Sequence, residues 1–330
     1  MSKKVLITRI IPGKAHEMLS KAGFELSVWE GSGPMTQPQL IERAKQVNAI
    51  ISLGADKLDK HFFSQCSHLE VIAQFAVGYD NIDVAEATQK NIPVSNTPDV
   101  LSDATADVAL GLMIAVSRKM FYLHKTIERG EWKQFEPLKN LGIELSGKTL
   151  GIFGMGRIGM VMAQRCRGAF NMNILYHNRT RNAEAEKVFD ARYVSLDELL
   201  QQSDVLSVHS MLSEETKGIF NKAAFSKMKP TAIFINTSRG SVHNEEDLIE
   251  ALQSETIWGA GLDVTNPEPM HADNPLLQMP NVAVLPHIGS ATVEARNGMA
   301  RLAAENIIEF YKTGKMLTCV NSSVLNKNQN

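Results

Sequence analysis

The residues best suited to chemistry form a glycine-rich loop, GMGRIG at residues 154–159, between an apolar strand and a helix-forming segment. Gly154 permits the tight turn from strand to helix. Gly156 has no side chain to keep a pyrophosphate off the backbone, and Gly159 lets the helix pack closely on the strand. The helix N-terminus offers unpaired N–H groups and a partial positive charge to phosphates. Three glycines alone would also fit a plain structural turn. Their order after a strand and before a helix predicts a dinucleotide site.

Three polar residues farther along the chain form a candidate acid–base site. His287 can donate a proton, because imidazole changes its charge near neutral pH. A carboxylate at Glu268 would orient the ring and favour its charged form, while the Arg239 guanidinium offers a fork that matches a carboxylate. Singly, each residue also fits a structural role. Each follows a predicted strand, where active sites of α/β proteins lie, so together they favour catalysis.

The elements that must position these residues alternate between short apolar runs and helical stretches, a pattern typical of parallel sheets with helices on both faces. A first alternating unit ends near residues 96–99, and a long helix is predicted over residues 102–127. A second unit begins near residue 146, with Ser195 and Glu198 spaced as a capping box. The final helix is predicted over residues 293–312, with Gly314 as its stop. The predicted strands cover residues 5–8, 49–52, 71–73, 92–95, 149–153, 173–176, 191–194, 205–208, 232–236, 258–263 and 282–285.

Length and composition indicate a soluble globular protein. The chain has 330 residues, which favours two domains, and its net charge of −2 gives no reason to expect nucleic acid or a membrane surface as a partner. The three cysteines lie far apart without metal-ligand spacing, so neither a metal site nor a disulfide framework is expected. No run has the length of a membrane span or the pattern of a signal peptide, which predicts a cytoplasmic protein.

The end of the second predicted strand of the dinucleotide-binding unit bears on cofactor choice. An NAD enzyme normally carries Asp or Glu about twenty residues past the glycine loop, where it binds the ribose 2′-hydroxyl. Residues 176–181 read YHNRTR and contain no acid. Asn178, Arg179 and Arg181 would attract a 2′-phosphate, although a solvated basic loop is the simpler alternative. The sequence therefore predicts a preference for NADPH over NADH, with NAD still possible.

Six motifs together resemble the D-isomer-specific 2-hydroxyacid dehydrogenases. In family order they are VGYDNID at residues 77–83, NTP at 96–98, GMGRIG at 154–159, NTSRG at 236–240, GLDVTNPEP at 261–269 and PHIG at 286–289. Residues 98–101 (PDVL) and 263–269 look most like the glyoxylate/hydroxypyruvate reductase branch. Asp107 stands where the family usually has Glu, and Met211 replaces a common proline.

The resemblance implies an α/β fold of two doubly wound parallel-sheet domains with a cleft between them. Residues 1–100 and 291–330 would form a flavodoxin-like substrate-binding domain, and residues 101–290 a Rossmann dinucleotide-binding domain. The family is typically dimeric, so an arm over about residues 120–146 is expected to reach a partner subunit in a homodimer.

The resemblance also assigns site residues. It gives the catalytic roles to Arg239, Glu268 and His287, and it implies a substrate pocket that includes Leu53, Val77, Gly78, Arg239 and His287. With the basic loop, the implied cofactor contacts are Thr105, Gly154, Gly156, Arg157, Ile158, Gly159, Asn178, Arg179, Arg181, Thr237, Asp263 and Gly289.

The expected activity is NAD(P)H-dependent reduction of a small 2-keto acid, glyoxylate or hydroxypyruvate, to the D-2-hydroxy acid, with hydride from the nicotinamide and a proton from His287. Phosphoglycerate dehydrogenase or another D-2-hydroxyacid dehydrogenase is the nearest enzymatic alternative. A redox-sensing, NAD(H)-binding module like the dehydrogenase-related corepressors is the alternative from another class, because such proteins can retain the three catalytic residues. The sequence leaves open which 2-keto acid is preferred and in which direction the enzyme works.

Overall fold

A computed structural model describes residues 2–329, with side chains described up to residue 325. These residues form two compact units. One contains the chain up to Leu101 together with the residues from Ala291 onward, and the other contains Ser102–Ser290.

The strands are β1 Lys4–Ile7, β2 Glu25–Val28, β3 Ala49–Ser52, β4 Val71–Gln74, β5 Val94–Ser95, β6 Thr149–Phe153, β7 Asn173–His177, β8 Arg192–Tyr193, β9 Val205–Val208, β10 Ile233–Asn236, β11 Gly259–Leu262 and β12 Val282–Val284. The α-helices are α1 Ala15–Lys21, α2 Gln37–Ala44, α3 Lys60–Gln65, α4 Val84–Gln89, α5 Ser102–Ser117, α6 Met120–Glu128, α7 Arg157–Phe170, α8 Ala183–Phe189, α9 Leu196–Gln202, α10 Lys222–Phe225, α11 Glu245–Gln253 and α12 Val293–Thr313. Short 3₁₀ helices lie at Gly240–Val242, Pro275–Gln278 and Ser322–Gln329.

The first unit is built on a five-stranded parallel sheet in the order β2-β1-β3-β4-β5, the flavodoxin-like order. Strands β3 and β4 are buried along their whole length, because helices cover both faces. Helices α1 and α12 pack together, and α12 also lies on β3 and β4. On the other face, Leu6, Ile50 and Ile72 share a core with side chains of α2 and α3.

The second unit is built on a seven-stranded parallel sheet in the order β12-β11-β10-β9-β6-β7-β8. Counted from β6, its first six strands follow the Rossmann order 3-2-1-4-5-6, with a seventh added at the edge. Helix α5 lies close against β11, since a side-chain carbon on Gly261 would come within 2.9 Å of the Leu112 Cβ. The two parallel sheets confirm the predicted α/β fold class.

The structure differs from the predicted elements in two places. The helix predicted over residues 102–127 is interrupted, because Lys119 adopts a left-handed φ of 55° and separates α5 from α6. The Ser117 carbonyl at the end of α5 accepts a hydrogen bond from Ile143 N–H, 2.8 Å away, so the returning chain satisfies that helix end. Strand β2 was not predicted, because it is a short edge strand without a buried apolar run.

Other predicted helix ends are confirmed. Ser195 and Glu198 form the reciprocal capping box at the start of α9. Helix α12 ends at Gly314, whose φ of 72° is the left-handed conformation typical of a helix C-terminus.

Within residues 2–329, no helix is long and apolar enough to cross a membrane. That same part of the chain contains no group of three or more His, Cys, Asp or Glu residues arranged to hold a metal ion. Cys66 and Cys166 are buried free thiols, and Cys319 is partly exposed.

Candidate active site

The glycine-rich loop connects β6 to α7, and its close packing requires two of its glycines. Gly154 has a φ of 100°, and a side-chain carbon there would lie 2.7 Å from the backbone nitrogen of Ser210. At Gly159 such a carbon would lie 2.5 Å from the Gly154 carbonyl oxygen, so the helix could not approach the strand. A carbon at Gly156 would meet no protein atom within 4 Å. The loop is thus closed toward the protein and open above Gly156.

The open side of this loop suits a phosphate-bearing ligand. Arg157 and Ile158 begin α7, a helix of fourteen residues with no acid in its first turn, so its N-terminal dipole is not balanced by a local carboxylate. The hydroxyl of Ser210, beside Gly154, is buried without a hydrogen-bond partner in the described protein. A buried polar atom of this kind is normally satisfied, so a bound molecule is a natural partner for it. Sequence reasoning missed Ser210, because nothing in its local pattern marks it.

Glu268 and His287 are brought together by the fold, although nineteen positions separate them. The His287 Nδ1 and the Glu268 Oε1 lie 2.5 Å apart, and the two side chains are 45% and 40% exposed. A carboxylate on Nδ1 fixes the ring and leaves Nε2 as the atom that can exchange a proton with a ligand. This is the geometry expected of a general acid with its orienting carboxylate.

The loop that carries His287 is held from two directions. The buried Asp263 carboxylate, just after β11, accepts the N–H groups of Ile288 and Gly289 at 2.8 and 2.7 Å. Burial raises the pKa of this carboxyl, and the two N–H donors oppose that rise. From the other side, the Thr105 hydroxyl of α5 donates to the Gly289 carbonyl at 3.0 Å. Asp263, Thr105 and Gly289 therefore position the imidazole, a role that the sequence did not reveal.

Two other histidines of the same unit are poor proton donors. His243 is buried against Phe234, and His209 lies between Ser207 and Thr237, with His209 Nδ1 3.4 Å from the Thr237 hydroxyl. Burial lowers the pKa of each to about 4, so both are neutral at physiological pH. His287 differs from them because it is exposed and faces a carboxylate.

Arg239 lies three residues past β10, in a loop shaped by Asn236. The Asn236 side chain donates to the Arg239 carbonyl at 2.9 Å and accepts the Ser238 N–H at 2.9 Å. The loop also passes close to the neighbouring chain, since a side-chain carbon on Gly240 would lie 2.0 Å from the Thr265 carbonyl oxygen. Strands β10, β11 and β12 are adjacent and parallel. Arg239, Asp263 and His287 therefore leave the same edge of the sheet.

The side chains of the basic loop after β7 make hydrogen bonds that the sequence does not indicate. The Asn178 side chain accepts the Met155 N–H of the glycine loop at 2.6 Å, so it ties the two loops together. The Arg181 guanidinium makes two 2.9 Å hydrogen bonds to Glu186 of α8, and the Tyr176 hydroxyl donates to the same carboxylate. These hydrogen bonds lower the pKa of Glu186. The loop therefore has an acid beside it that sequence spacing did not indicate.

Arg179 is exposed and lies near a second carboxylate. Hydrogen bonding from Ser213, together with the more distant charge of Arg179, lowers the pKa of Glu215. The positive charge of the loop is thus partly balanced by Glu186 and Glu215.

The predicted substrate loops follow β3 and β4 in the first unit. The carbonyls of Val77 and Gly78 accept from Asn96 at 2.8 Å and from Gln74 at 3.4 Å. Within residues 2–329, neither backbone N–H of this pair donates to a protein acceptor. The Leu53 N–H, in contrast, is bound to Asp56 at 2.7 Å and cannot serve a ligand. Val77 and Gly78 thus offer paired free donors, whereas Leu53 offers only its side chain.

Comparison with known proteins identifies the family. Residues 110–289 match the model for the D-isomer-specific 2-hydroxyacid dehydrogenase NAD-binding domain. A glyoxylate reductase from Thermococcus litoralis is 46% identical over 329 residues, covering 98% of each chain.

Solved structures agree with this match. A glyoxylate reductase from Paecilomyes thermophila has a TM-score of 0.88 at 36% identity, covering 98% of this chain and 99% of that one. The NADPH-dependent glyoxylate/hydroxypyruvate reductase of Sinorhizobium meliloti, in complex with NADP and malonate, has a TM-score of 0.85 at 34% identity, covering 97% of each. The chain belongs to the D-isomer-specific 2-hydroxyacid dehydrogenases, a family of oxidoreductases with a dinucleotide-binding domain.

Proposed function

We propose that this protein reduces a small 2-keto acid, glyoxylate or hydroxypyruvate, to the D-2-hydroxy acid with NADPH as the preferred cofactor. The observation that carries the proposal is the 2.5 Å contact between Glu268 and His287 after adjacent strands of the Rossmann sheet. In this proposal residues 102–290 bind the dinucleotide, and the unit that contains residues 2–101 and the chain from Ala291 binds the substrate.

The proposed chemistry follows from the charges of three side chains. When bound, NADPH would supply the hydride that the carbonyl carbon accepts. Protonated His287 donates its Nε2 proton to the oxygen that becomes the hydroxyl, and Glu268 stabilises the imidazolium beforehand. Arg239 holds the substrate carboxylate and stabilises negative charge that develops on the carbonyl oxygen. In the oxidation direction, neutral His287 accepts the same proton.

The free backbone donors at Val77 and Gly78 support a second contact to the substrate carboxylate. Their carbonyls are fixed by Asn96 and Gln74, so the N–H groups keep their direction without a ligand. Gly78 has no side chain to obstruct a close approach. Leu53 contributes apolar surface to the pocket in this proposal.

The preference for NADPH rests on the end of β7. Asn178 stands where an NAD enzyme normally has an acid, and Arg179 and Arg181 follow it. Glu186 holds the Arg181 guanidinium in a fixed orientation, which leaves its other N–H groups for a phosphate. Thr237, buried beside His209, and Asp263 are the proposed contacts nearer the nicotinamide end.

A direct assay tests the activity. Purified protein mixed with NADPH and glyoxylate, hydroxypyruvate, pyruvate or 3-phosphohydroxypyruvate is expected to oxidise the nicotinamide fastest with one of the first two acids. Faster reaction with the phosphorylated acid would favour a phosphoglycerate dehydrogenase. Binding of NADPH without turnover of any acid would favour a redox-sensing module.

We also propose a homodimer that uses the arm over residues 120–146. Its exposed apolar side chains include Trp132, Phe135 and Leu138, the last two more than four-fifths exposed. Apolar surface this extensive usually marks an interaction site, and an arm on each of two copies suits a closed symmetric pair. The sequence-based expectations of a cytoplasmic location and of no nucleic-acid partner remain predictions.

Disruption of the arm should separate the subunits. Sedimentation velocity is expected to show a dimer for the wild type and a monomer for the double variant Phe135→Ser, Leu138→Ser, because each change removes an apolar contact. Val188→Ser, which alters an exposed apolar side chain on α8, is the control and should stay dimeric. A monomeric wild type, or a dimeric double variant, would contradict the proposal.

A further inference from the structure

A buried polar network lies beneath the two proposed substrate loops of the first unit. The Asn81 side chain donates to the carbonyl of Leu53 at 3.1 Å and to that of Asp56 at 2.8 Å. Its oxygen accepts from the Gln74 side chain at 2.8 Å. One side chain thus joins the loop after β3 to the loop after β4.

The network continues into the sheet. Gln74 is fully buried, and its oxygen accepts the Ser52 hydroxyl at 2.6 Å. Asp56 is almost fully buried and accepts both the Thr8 hydroxyl at 2.5 Å and the Leu53 N–H at 2.7 Å. Three neighbouring strands, β1, β3 and β4, therefore end in side chains that hold the same two loops.

Backbone contacts reinforce the connection. Leu58 N–H donates to the Asn81 carbonyl at 3.0 Å, and Asp83 N–H donates to the Leu58 carbonyl at 2.8 Å. Fully satisfied buried networks fix one geometry, since each broken bond leaves a polar group unpaired in a low-dielectric interior.

We infer that Asn81 is a positioning residue for substrate binding, which fixes the Val77–Gly78 donors relative to the Leu53 loop. The inference rests on the proposed function, because it assumes that these donors bind the substrate carboxylate. Gln74 transmits the constraint directly: its Nε2 donates both to Asn81 and to the Gly78 carbonyl. Loss of Asn81 removes one partner of the Gln74 amide and so loosens its hold on the peptide that follows the free donors.

The experiment compares steady-state constants for Asn81→Ala with those of the wild type. The KM for glyoxylate and the inhibition constant of oxamate, an unreactive 2-keto acid analogue, are each expected to rise about 10-fold or more, since small misplacements of a positioned group are costly. The KM for NADPH should change less than about twofold, because Asn81 belongs to the other unit.

Asn48→Ala is the matched control. Asn48 forms a similar clamp near the opposite end of the same sheet, where its side chain accepts from Lys4 N–H and donates to Glu70, both at 3.0 Å. It should lower thermal stability by a comparable amount and leave both substrate constants unchanged. Ser52→Ala removes one buried hydroxyl and little volume, so it should fold, and it should raise the glyoxylate KM about threefold, consistent with loss of one hydrogen bond.

The outcomes distinguish failure of the Asn81 inference from failure of the proposed function. An active wild type with an unchanged glyoxylate KM in Asn81→Ala, or in Ser52→Ala if the first variant does not fold, overturns the inference alone. An equal rise in Asn48→Ala overturns it too, because the effect would then follow from general loosening. A wild type that reduces no 2-keto acid overturns the proposed function together with this inference.

Discussion

Replacing His287 by glutamine is expected to lower kcat for 2-keto acid reduction by at least about 100-fold, the contribution typical of a positioned general acid. Glutamine keeps a hydrogen-bonding side chain but cannot deliver a proton to the developing alkoxide. The KM for NADPH should stay near the wild-type value, because the glycine loop is untouched. Steady-state kinetics with glyoxylate would measure both.

The carboxylate partner should matter because it orients the ring. In Glu268→Gln the imidazole loses the carboxylate that lies 2.5 Å from its Nδ1, so the ring is held less firmly. The kcat for reduction should therefore fall about 10-fold or more, while the KM for NADPH stays near the wild-type value. His271→Gln, an exposed histidine in the next part of the loop, is the control and should change neither constant. Wild-type turnover in His287→Gln would refute the proposed role.

The substitution Asn178→Asp is expected to shift the preference from NADPH toward NADH by about 100-fold in the ratio of kcat/KM values, since a like charge against a phosphate costs several kcal/mol. Aspartate keeps the oxygen that accepts the Met155 N–H, so the glycine loop should hold its shape. It also supplies the acid that binds a ribose 2′-hydroxyl. Kinetics with both cofactors at fixed glyoxylate would measure the ratio.

An arginine variant and its control test the proposed 2′-phosphate site independently. Arg179→Ala should weaken NADPH binding and leave NADH binding unchanged, because only the phosphate loses a partner. Arg192→Ala, an exposed arginine on β8, should affect neither cofactor. If the wild type prefers NADH, or if Asn178→Asp leaves the ratio unchanged, the basic loop is not a phosphate site.

Much of the fold could be predicted from the sequence because the buried strands are mostly apolar. Strands such as β9 and β10 consist of four buried residues each, and their boundaries follow the apolar runs closely. The edge strand β2 was missed because none of its four residues is fully buried. The break at Lys119 was missed because a left-handed residue that is not glycine leaves no mark in the pattern.

For the site, the residue types and their order after strands predicted the candidates, whereas their hydrogen-bond partners depend on tertiary packing. The sequence analysis expected Glu268 to orient the His287 ring, and the structure places the two side chains in contact. The contact between Glu186 and Arg181 was not predicted, because it forms only when α8 folds back toward the end of β7. Asp263 was expected to face the cofactor, and its two bonds to the backbone at Ile288 and Gly289 could not be inferred from spacing.

The backbone conformation of His287 affects which substitutions at this position can stabilise the protein. Its φ of 53° lies in the left-handed region, which costs a residue with a side chain about 1–2 kcal/mol relative to ordinary conformations. The Asp263 and Thr105 bonds hold the loop in that conformation. Glycine would relieve the strain but remove the proposed proton donor. Stability and the proposed turnover therefore place opposite demands on this position.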